Sequence, residues 1–206
     1  MKNITYINNK FIKHSSAKIS IEDRGFLFAD SIYELISVFN KKTIDVDQHL
    51  NRLASSLNKV KIKYNLNKER FKKIISKLTK LNNVVNGYIY IQITRGVAER
   101  KHEFPKKYKP TTIIFTKNLN IDKKIYEKGV KIITIPDLRW LRRDIKTTSL
   151  LPNVLSKQLA VEKNAFESWF IDDGIITEGS ASNAWIIKSS NTIITHPANN
   201  KILKGV

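Results

Sequence analysis

The sequence predicts an α+β fold, a mixed α/β chain in two domains, and three observations carry that prediction. Runs of β-branched and aromatic residues are interleaved with runs whose apolar residues recur at helical spacing. At 206 residues with 41% hydrophobic residues, the chain is long enough for one large or two small domains with a real core. A polar stretch from Lys117 to Lys124 separates regions of different patterning, which sets the expected domains at 1–119 and 120–206.

Taken in order, Thr5-Tyr6-Ile7 and Phe11-Ile12 read as strands around Asn8-Asn9-Lys10, a hairpin with an Asn-rich turn. Tyr33 to Phe39 meets Thr43-Ile44 across Asn40-Lys41-Lys42 in the same way. Asp47 is then placed to cap a helix with Leu50, Leu53, Leu57 and Val60 on one stripe. A second helix carries Phe71, Ile74, Ile75, Leu78 and Leu81, and both stripes are expected to face a core. Tyr88 to Thr94 and Thr111 to Thr116 are strands. Beyond the polar stretch, Val130 to Ile135 is a strand, and Pro152 suits the first turn of a helix bearing Leu151, Val154, Leu155 and Leu159. Ser168 to Ile171, Ala184 to Ile187 and Thr192 to Thr195 complete the strands, with no internal repeat.

Composition excludes several classes of function. The chain has no cysteine, which removes disulfide frameworks and thiolate chemistry. Its longest apolar runs, Phe26 to Ala29 and Ala184 to Ile187, are too short for a bilayer span or a signal-peptide core, so a cytoplasmic location without membrane contact is expected. The net charge of +19 invites nucleic acid, but of the 37 basic residues 29 are Lys and 8 are Arg, spread from Lys2 to Lys204 without a dense block. Such a surface gives non-specific, salt-sensitive attraction, so no specific nucleic-acid partner is expected.

Four segments combine reactive residues with local features that mark sites. In Arg139 to Thr148, Lys146 follows a cluster of arginines, and neighbouring cations with burial make a lysine amine nucleophilic toward a carbonyl. On chemistry alone, its reading as one of 29 surface lysines is the better one. Glu178, in the small-residue turn Thr177 to Asn183, offers a carboxylate to a cationic ring nitrogen and reads equally as an exposed turn acid. Arg100 and His102, on the loop after a strong strand, can clamp a carboxylate, although a solvated loop has the same composition. Arg52 offers a guanidinium to phosphate or is simply a charge at the rim of the Leu50 stripe.

The joint order of these segments resembles a known family. Glu22-Asp23-Arg24-Gly25, Asp30 to Glu34, His49 to Leu53, Gln92 to Gly96, Arg100-Lys101-His102, Arg139 to Lys146, Thr177 to Ser180 and His196 to Asn200 are similar to the fold type IV (class IV) pyridoxal-phosphate aminotransferases. Within them the likeness is greatest to the bacterial enzymes acting on D-amino acids, and it runs from Tyr6 to Val206. The resemblance implies pyridoxal 5'-phosphate as cofactor, held through the Lys146 amine, which also moves the substrate's α-proton. It implies that Glu178 pairs with the pyridine nitrogen, that Arg52 holds the phosphate, and that Tyr33 lines the substrate side. It further implies that Ser180 lies near the cofactor, in a turn where Ala181 replaces the family's frequent serine. Arg100 and His102 would grip the substrate carboxylate from across a homodimer interface.

The family continues past Val206 into backbone groups that share the phosphate, so Val206 is expected beside the cofactor and the C-terminal domain is expected to be truncated. The implied reaction is transamination between D-alanine and 2-oxoglutarate. Two other readings stand beside it. One keeps the fold and changes the chemistry, to a branched-chain L-amino acid aminotransferase or an aminodeoxychorismate lyase. The other is an inactive fragment or basic binding module, which the charge would suit.

Overall fold

The computed structural model describes residues 3–120, 123–189 and 191–206, so residues 121 and 122 of the expected junction lie outside the described residues. The chain divides into two compact units, one of Met1–Ile121 with Lys146–Thr148 and Val206, the other of Asp122–Ile145 and Ser149–Gly205.

The first unit is built on an antiparallel six-stranded sheet. Strands β1 (Ile4–Ile7) and β2 (Lys10–Lys13) form the expected hairpin, with Asn8 and Asn9 at φ 45° and 76°. Positive φ at both turn residues matches the twist of the strands, and asparagine tolerates it. A short helix, α1 (Arg24–Phe28), follows, begun by Asp23, whose carboxylate accepts the Gly25 N–H at 2.8 Å. Then come β3 (Ser31–Phe39), β4 (Lys42–Thr43), α2 (Val46–Lys59), α3 (Lys68–Leu81), β5 (Gly87–Thr94) and β6 (Thr111–Asn118). The sheet order is β2-β1-β6-β5-β3-β4.

Register explains the core. Ile32 pairs with Ile93, Glu34 with Ile91 and Ile36 with Ile89, and Ile91 pairs in turn with Ile114, so these residues share one face. Leu50, Leu53 and Leu57 of α2 and Phe71, Ile74, Ile75 and Leu78 of α3 are buried, as the helical stripes predict. Each such side chain contributes about 1.5–3 kcal/mol of burial. Leu81, expected on the same stripe, is 51% exposed because α3 ends at that residue. Asp47 is not the cap: Asp45 occupies that position, and Asp47 lies in the first turn with its carboxylate 2.7 Å from the Lys72 ammonium.

Strand β4 is only two residues long and pairs with Val38 and Phe39, which leaves the opening half of that edge of β3 to another segment. Lys146–Thr148 takes it. Thr147 bridges Ile32, the Tyr33 N–H donates to the Lys146 carbonyl at 2.9 Å, and the Thr148 N–H donates to the Ser31 carbonyl at 3.3 Å. These three residues, expected with the C-terminal domain, belong to the first unit through that pairing.

The second unit contains α4 (Lys123–Lys128), β7 (Ile132–Pro136), α5 (Leu151–Glu162), β8 (Glu167–Asp172), β9 (Ile175–Gly179), β10 (Trp185–Ile187) and β11 (Ile193–Thr195). Strands β7 and β8 run parallel, with α5 in the connection between them. Strands β8 and β9 form a hairpin through Asp173 and Gly174, at φ 51° and 74°. On α5 the apolar Leu151, Val154 and Leu155 are exposed, while the small Ser156 and Ala160, one turn apart, are buried. Small side chains let a helix approach a sheet closely, which decides the buried face against hydrophobicity here.

Candidate active site

The face of β3 opposite its isoleucines carries Tyr33, whose ring stacks on Tyr90 at 5.6 Å between centroids, and Tyr90 stacks on Phe115 at 4.8 Å. Burial, with smaller contributions from Tyr33 and Tyr88, pushes the Tyr90 hydroxyl up to about 12. The Lys146 ammonium lies 4.4 Å from the Tyr33 ring centroid. The edge pairing described above fixes the Lys146 backbone, so its amine is delivered to the tyrosine by the sheet rather than by a flexible loop. Tyr33 and Lys146 are thus brought together.

Behind Tyr33, on the core face, Glu34 is fully buried. Its Oε1 accepts from Arg52 Nε at 2.8 Å, and its Oε2 accepts from Arg52 Nη2 at 2.8 Å and from His49 Nδ1 at 2.8 Å. Burial raises its carboxyl, but the bonds from Arg52 and His49, with the charges of Arg52 and Lys146, outweigh that and hold it below the ordinary carboxylate value. Arg52 is therefore aimed by a forked contact on Glu34, which leaves its side chain 18% exposed. Sequence reasoning assigned Glu34 no role. The signal was present, because a carboxylate at an inward strand position between Ile32 and Ile36 demands a cationic partner.

Arg100 and His102 are exposed and lie on the irregular segment between β5 and β6. Both gather on Phe28 of α1: the Arg100 guanidinium carbon is 5.3 Å from the ring centroid, and the His102 ring centroid is 5.4 Å from it. The predicted pair is assembled on one aromatic side chain.

In the second unit Glu178 is the last residue but one of β9 and is 4% exposed, not the exposed turn acid its composition also allowed. Its Oε1 accepts from Arg139 Nη1, and its Oε2 accepts from the Leu203 N–H at 3.0 Å and from Asn183 Nδ2 at 3.2 Å. Burial pushes the Glu178 carboxyl up despite Arg139. The arginines expected to crowd Lys146 are each paired with acids: Arg139 with Asp137 and Glu178, Arg142 with Asp144, and Arg143 with Asp137 and Asp172. The partnership of Arg139 with Glu178 was not legible, because it joins positions 39 residues apart.

Ser180 is buried, with its hydroxyl 3.3 Å from Glu167 Oε1. The same carboxylate accepts from the Ala181 N–H at 2.7 Å and the Ser182 hydroxyl at 2.6 Å, so Glu167 ties down the whole turn. Val206 is 48% exposed and groups with the first unit.

Taken one by one, these residues have the chemistry that a pyridoxal phosphate asks for. A carboxylate offers about four acceptor positions, and Glu178 receives three donors from its own chain, which leaves capacity for one ring N–H. Arg52 presents a guanidinium with fixed orientation, and Lys146 an amine with fixed backbone. Among the described residues no cluster of His, Cys, Asp or Glu could hold a metal, and no helix is long and apolar enough to cross a membrane.

Comparison with known proteins agrees with this chemistry. Residues 31–206 match the amino-transferase class IV family. The D-alanine aminotransferase of Staphylococcus epidermidis is 44% identical over 202 residues, covering 98% of this chain and 71% of that protein. Among solved structures, the branched-chain amino acid aminotransferase of Escherichia coli superposes with a TM-score of 0.89 at 18% identity, covering 100% of this chain and 71% of the other. A hypothetical aminotransferase from Mycobacterium tuberculosis in its PLP-bound form gives 0.83 at 18% identity, covering 98% and 74%. At such identities the two structures speak for the fold alone. With the family match spanning 31–206 and the curated relative spanning nearly the whole chain, the chain belongs to the class IV aminotransferases.

Proposed function

We propose that this chain transfers the amino group of a D-amino acid, D-alanine first among them, to a 2-oxo acid such as 2-oxoglutarate. The observation that carries the reading is the 44% identity with a D-alanine aminotransferase over 98% of the chain. Assembly of Arg100 and His102 on Phe28 supports it. Class IV aminotransferases depend on pyridoxal 5'-phosphate, which when bound supplies a carbonyl for the incoming amine and a ring that accepts electrons from the substrate.

The chain's own residues do the rest. Lys146 would hold the cofactor's carbonyl carbon through its amine, and the same amine would take up and give back the substrate's α-proton. Glu178 would hold the ring nitrogen by its remaining acceptor position. Arg52, aimed by Glu34, would take the phosphate, and Ser180 and Val206 are the further residues assigned to the cofactor. Tyr33 lines the substrate side below the Lys146 amine. Arg100 and His102 bind the substrate carboxylate, one through a planar fork and the other through a single donor, and so orient the α-hydrogen. A cytoplasmic homodimer in which this loop reaches the partner's site completes the proposal.

Two measurements test it. With 2-oxoglutarate as acceptor, D-alanine should be consumed and L-alanine and L-leucine spared; preferential use of an L-amino acid would refute the assignment. Lys146→Ala should lose both the visible absorption of the bound cofactor and turnover, and a variant that transaminates normally removes Lys146 from its role.

A further inference from the structure

The loop bearing Arg100 and His102 lacks regular structure between Gly96 and Thr111, yet the reading above asks it to hold two side chains in register with a carboxylate. Arg95 stacks on Phe104 further along it, and its 101–103 stretch is held from α1. Arg24 is 3% exposed, and a guanidinium at that depth needs partners for its donors. Nε donates to Asp30 Oδ2 at 2.8 Å. The rest of the fork turns on the loop: Nη1 donates to the Lys101 carbonyl at 2.5 Å and reaches the Glu103 carbonyl at 3.5 Å, and Nη2 donates to the His102 carbonyl at 3.3 Å. One buried cation thus collects the carbonyls of three consecutive residues, a shape those carbonyls could not hold against water on their own.

The second contact is one helical turn further along. Phe28 stands four residues after Arg24 on α1, its ring centroid 4.8 Å from the Arg24 guanidinium carbon. The same ring receives Arg100 and His102. Helix α1 therefore holds the loop twice, through Arg24 at the backbone and through Phe28 at the side chains. Asp30 in turn fixes Arg24, and it receives Arg95 Nε at 2.7 Å and Nη2 at 3.0 Å.

We infer that Arg24 is a positioning residue for carboxylate recognition: it shapes the 101–103 backbone and thereby spaces Arg100 and His102, without itself touching substrate. The inference rests on the assignment of Arg100 and His102 to the carboxylate. Lysine cannot replace Arg24, because one ammonium cannot meet Asp30 and three carbonyls in the plane that a guanidinium covers. Misplacing a clamp by about an ångström weakens the oriented complex while the reacting groups stay intact.

Arg24→Lys and Arg24→Gln, loaded with cofactor, provide the test. Steady-state kinetics with D-alanine should give a KM raised about tenfold or more with a much smaller change in kcat. Ethylamine, which is alanine without its carboxylate, should discharge the visible absorption in a single turnover at a rate within about twofold of the parent. Trypsin should cut after Arg100 and Lys101 several-fold faster, as read by mass spectrometry. Asn82→Ala is the stability control, because it removes buried bonds to Ile4 and Thr116 elsewhere in the unit, and its KM should match the parent. An unchanged KM in both Arg24 variants overturns the inference. So does an equal loss with D-alanine and ethylamine, which marks general damage. Should neither variant fold, Phe28→Leu carries the same comparison, and an unchanged KM there overturns it equally. Arg100→Met separates the two layers: if it leaves the D-alanine KM unaltered, the clamp assignment itself is wrong, whereas a raised KM there beside normal Arg24 variants refutes only the role of Arg24.

Discussion

Replacing Glu34 by Gln removes a negative charge from a position with no solvent exposure and leaves Arg52 and His49 facing an amide. Of three 2.8 Å bonds to the carboxylate, the Gln oxygen can keep one or two, and its NH2 group meets a donor. Breaking a buried ion pair from one side costs about 3–5 kcal/mol, and the retained bonds put this case at the low end, about 3 kcal/mol. With a urea slope of about 2 kcal/mol/M, the unfolding midpoint should fall by about 1.5 M. Arg52→Gln should cost a similar amount, because it strands the carboxylate instead. The double variant removes both charges together, so its cost should fall short of the sum by about 2 kcal/mol.

The sign of the pH dependence follows from the lowered Glu34 carboxyl. A depressed folded value contributes stability that is present above the ordinary carboxylate range and is lost as pH falls through the folded value. The gap between the parent and Glu34→Gln should therefore be full at neutral pH and shrink on acidification below about pH 4. Additive single variants, or a gap that widens in acid, would refute the reasoning.

Gly96 sits at φ +97°, and a Cβ there would stand 2.0 Å from the Lys109 carbonyl oxygen, so Gly96→Ala should lower the melting temperature by at least about 5 °C. Among the described residues the buried Ser168 hydroxyl has no hydrogen-bond partner, and removing it relieves its desolvation; Ser168→Ala should stabilise by about 1 kcal/mol in urea unfolding. Glu167→Gln sets an amide against the Ala181 N–H and the Ser180 and Ser182 hydroxyls and should cost about 2 kcal/mol, with faster amide exchange confined to that turn.

The strands and the two long helices of the first unit were legible because each is amphipathic at its own period and both hairpin turns carry asparagine at positive φ. The short helix α1 was not, since five residues give no periodicity and its buried Arg24 looks like any charged residue until the loop it meets is known. On α5 the buried positions are the small Ser156 and Ala160, which apolar spacing does not mark. The candidate site divides in the same way. Residue types and order named Lys146, Glu178, Arg52 and the Arg100 and His102 pair, whereas the groups that aim them, Glu34, Arg139 and Arg24, act across the fold and leave only a charge out of place in the pattern.

The two acids on Arg139 show why an aiming residue matters as much as the residue aimed. Asp137 takes Arg139 Nε at 2.9 Å and Nη2 at 2.7 Å, adds the Thr177 hydroxyl at 2.8 Å, and lies 3.1 Å from Arg143. Burial raises the Asp137 carboxyl, but those partners outweigh it and hold the group low, while Glu178, receiving one bond from the same arginine, is driven up by burial and by the Asp137 charge beside it. The raised Glu178 contributes stability only below the ordinary carboxylate range and loses it as pH rises through its folded value, opposite in sign to Asp137 and Glu34. Glu178 is thus a buried carboxylate whose partners offset less than its burial, with an acceptor position remaining. A cationic N–H placed there gains more than it would at a carboxylate already saturated by arginine, and the same gain keeps that nitrogen protonated. On the proposed reading, Asp137 serves the reaction by occupying most of Arg139, so that the ring nitrogen rather than the arginine supplies the missing positive charge to Glu178.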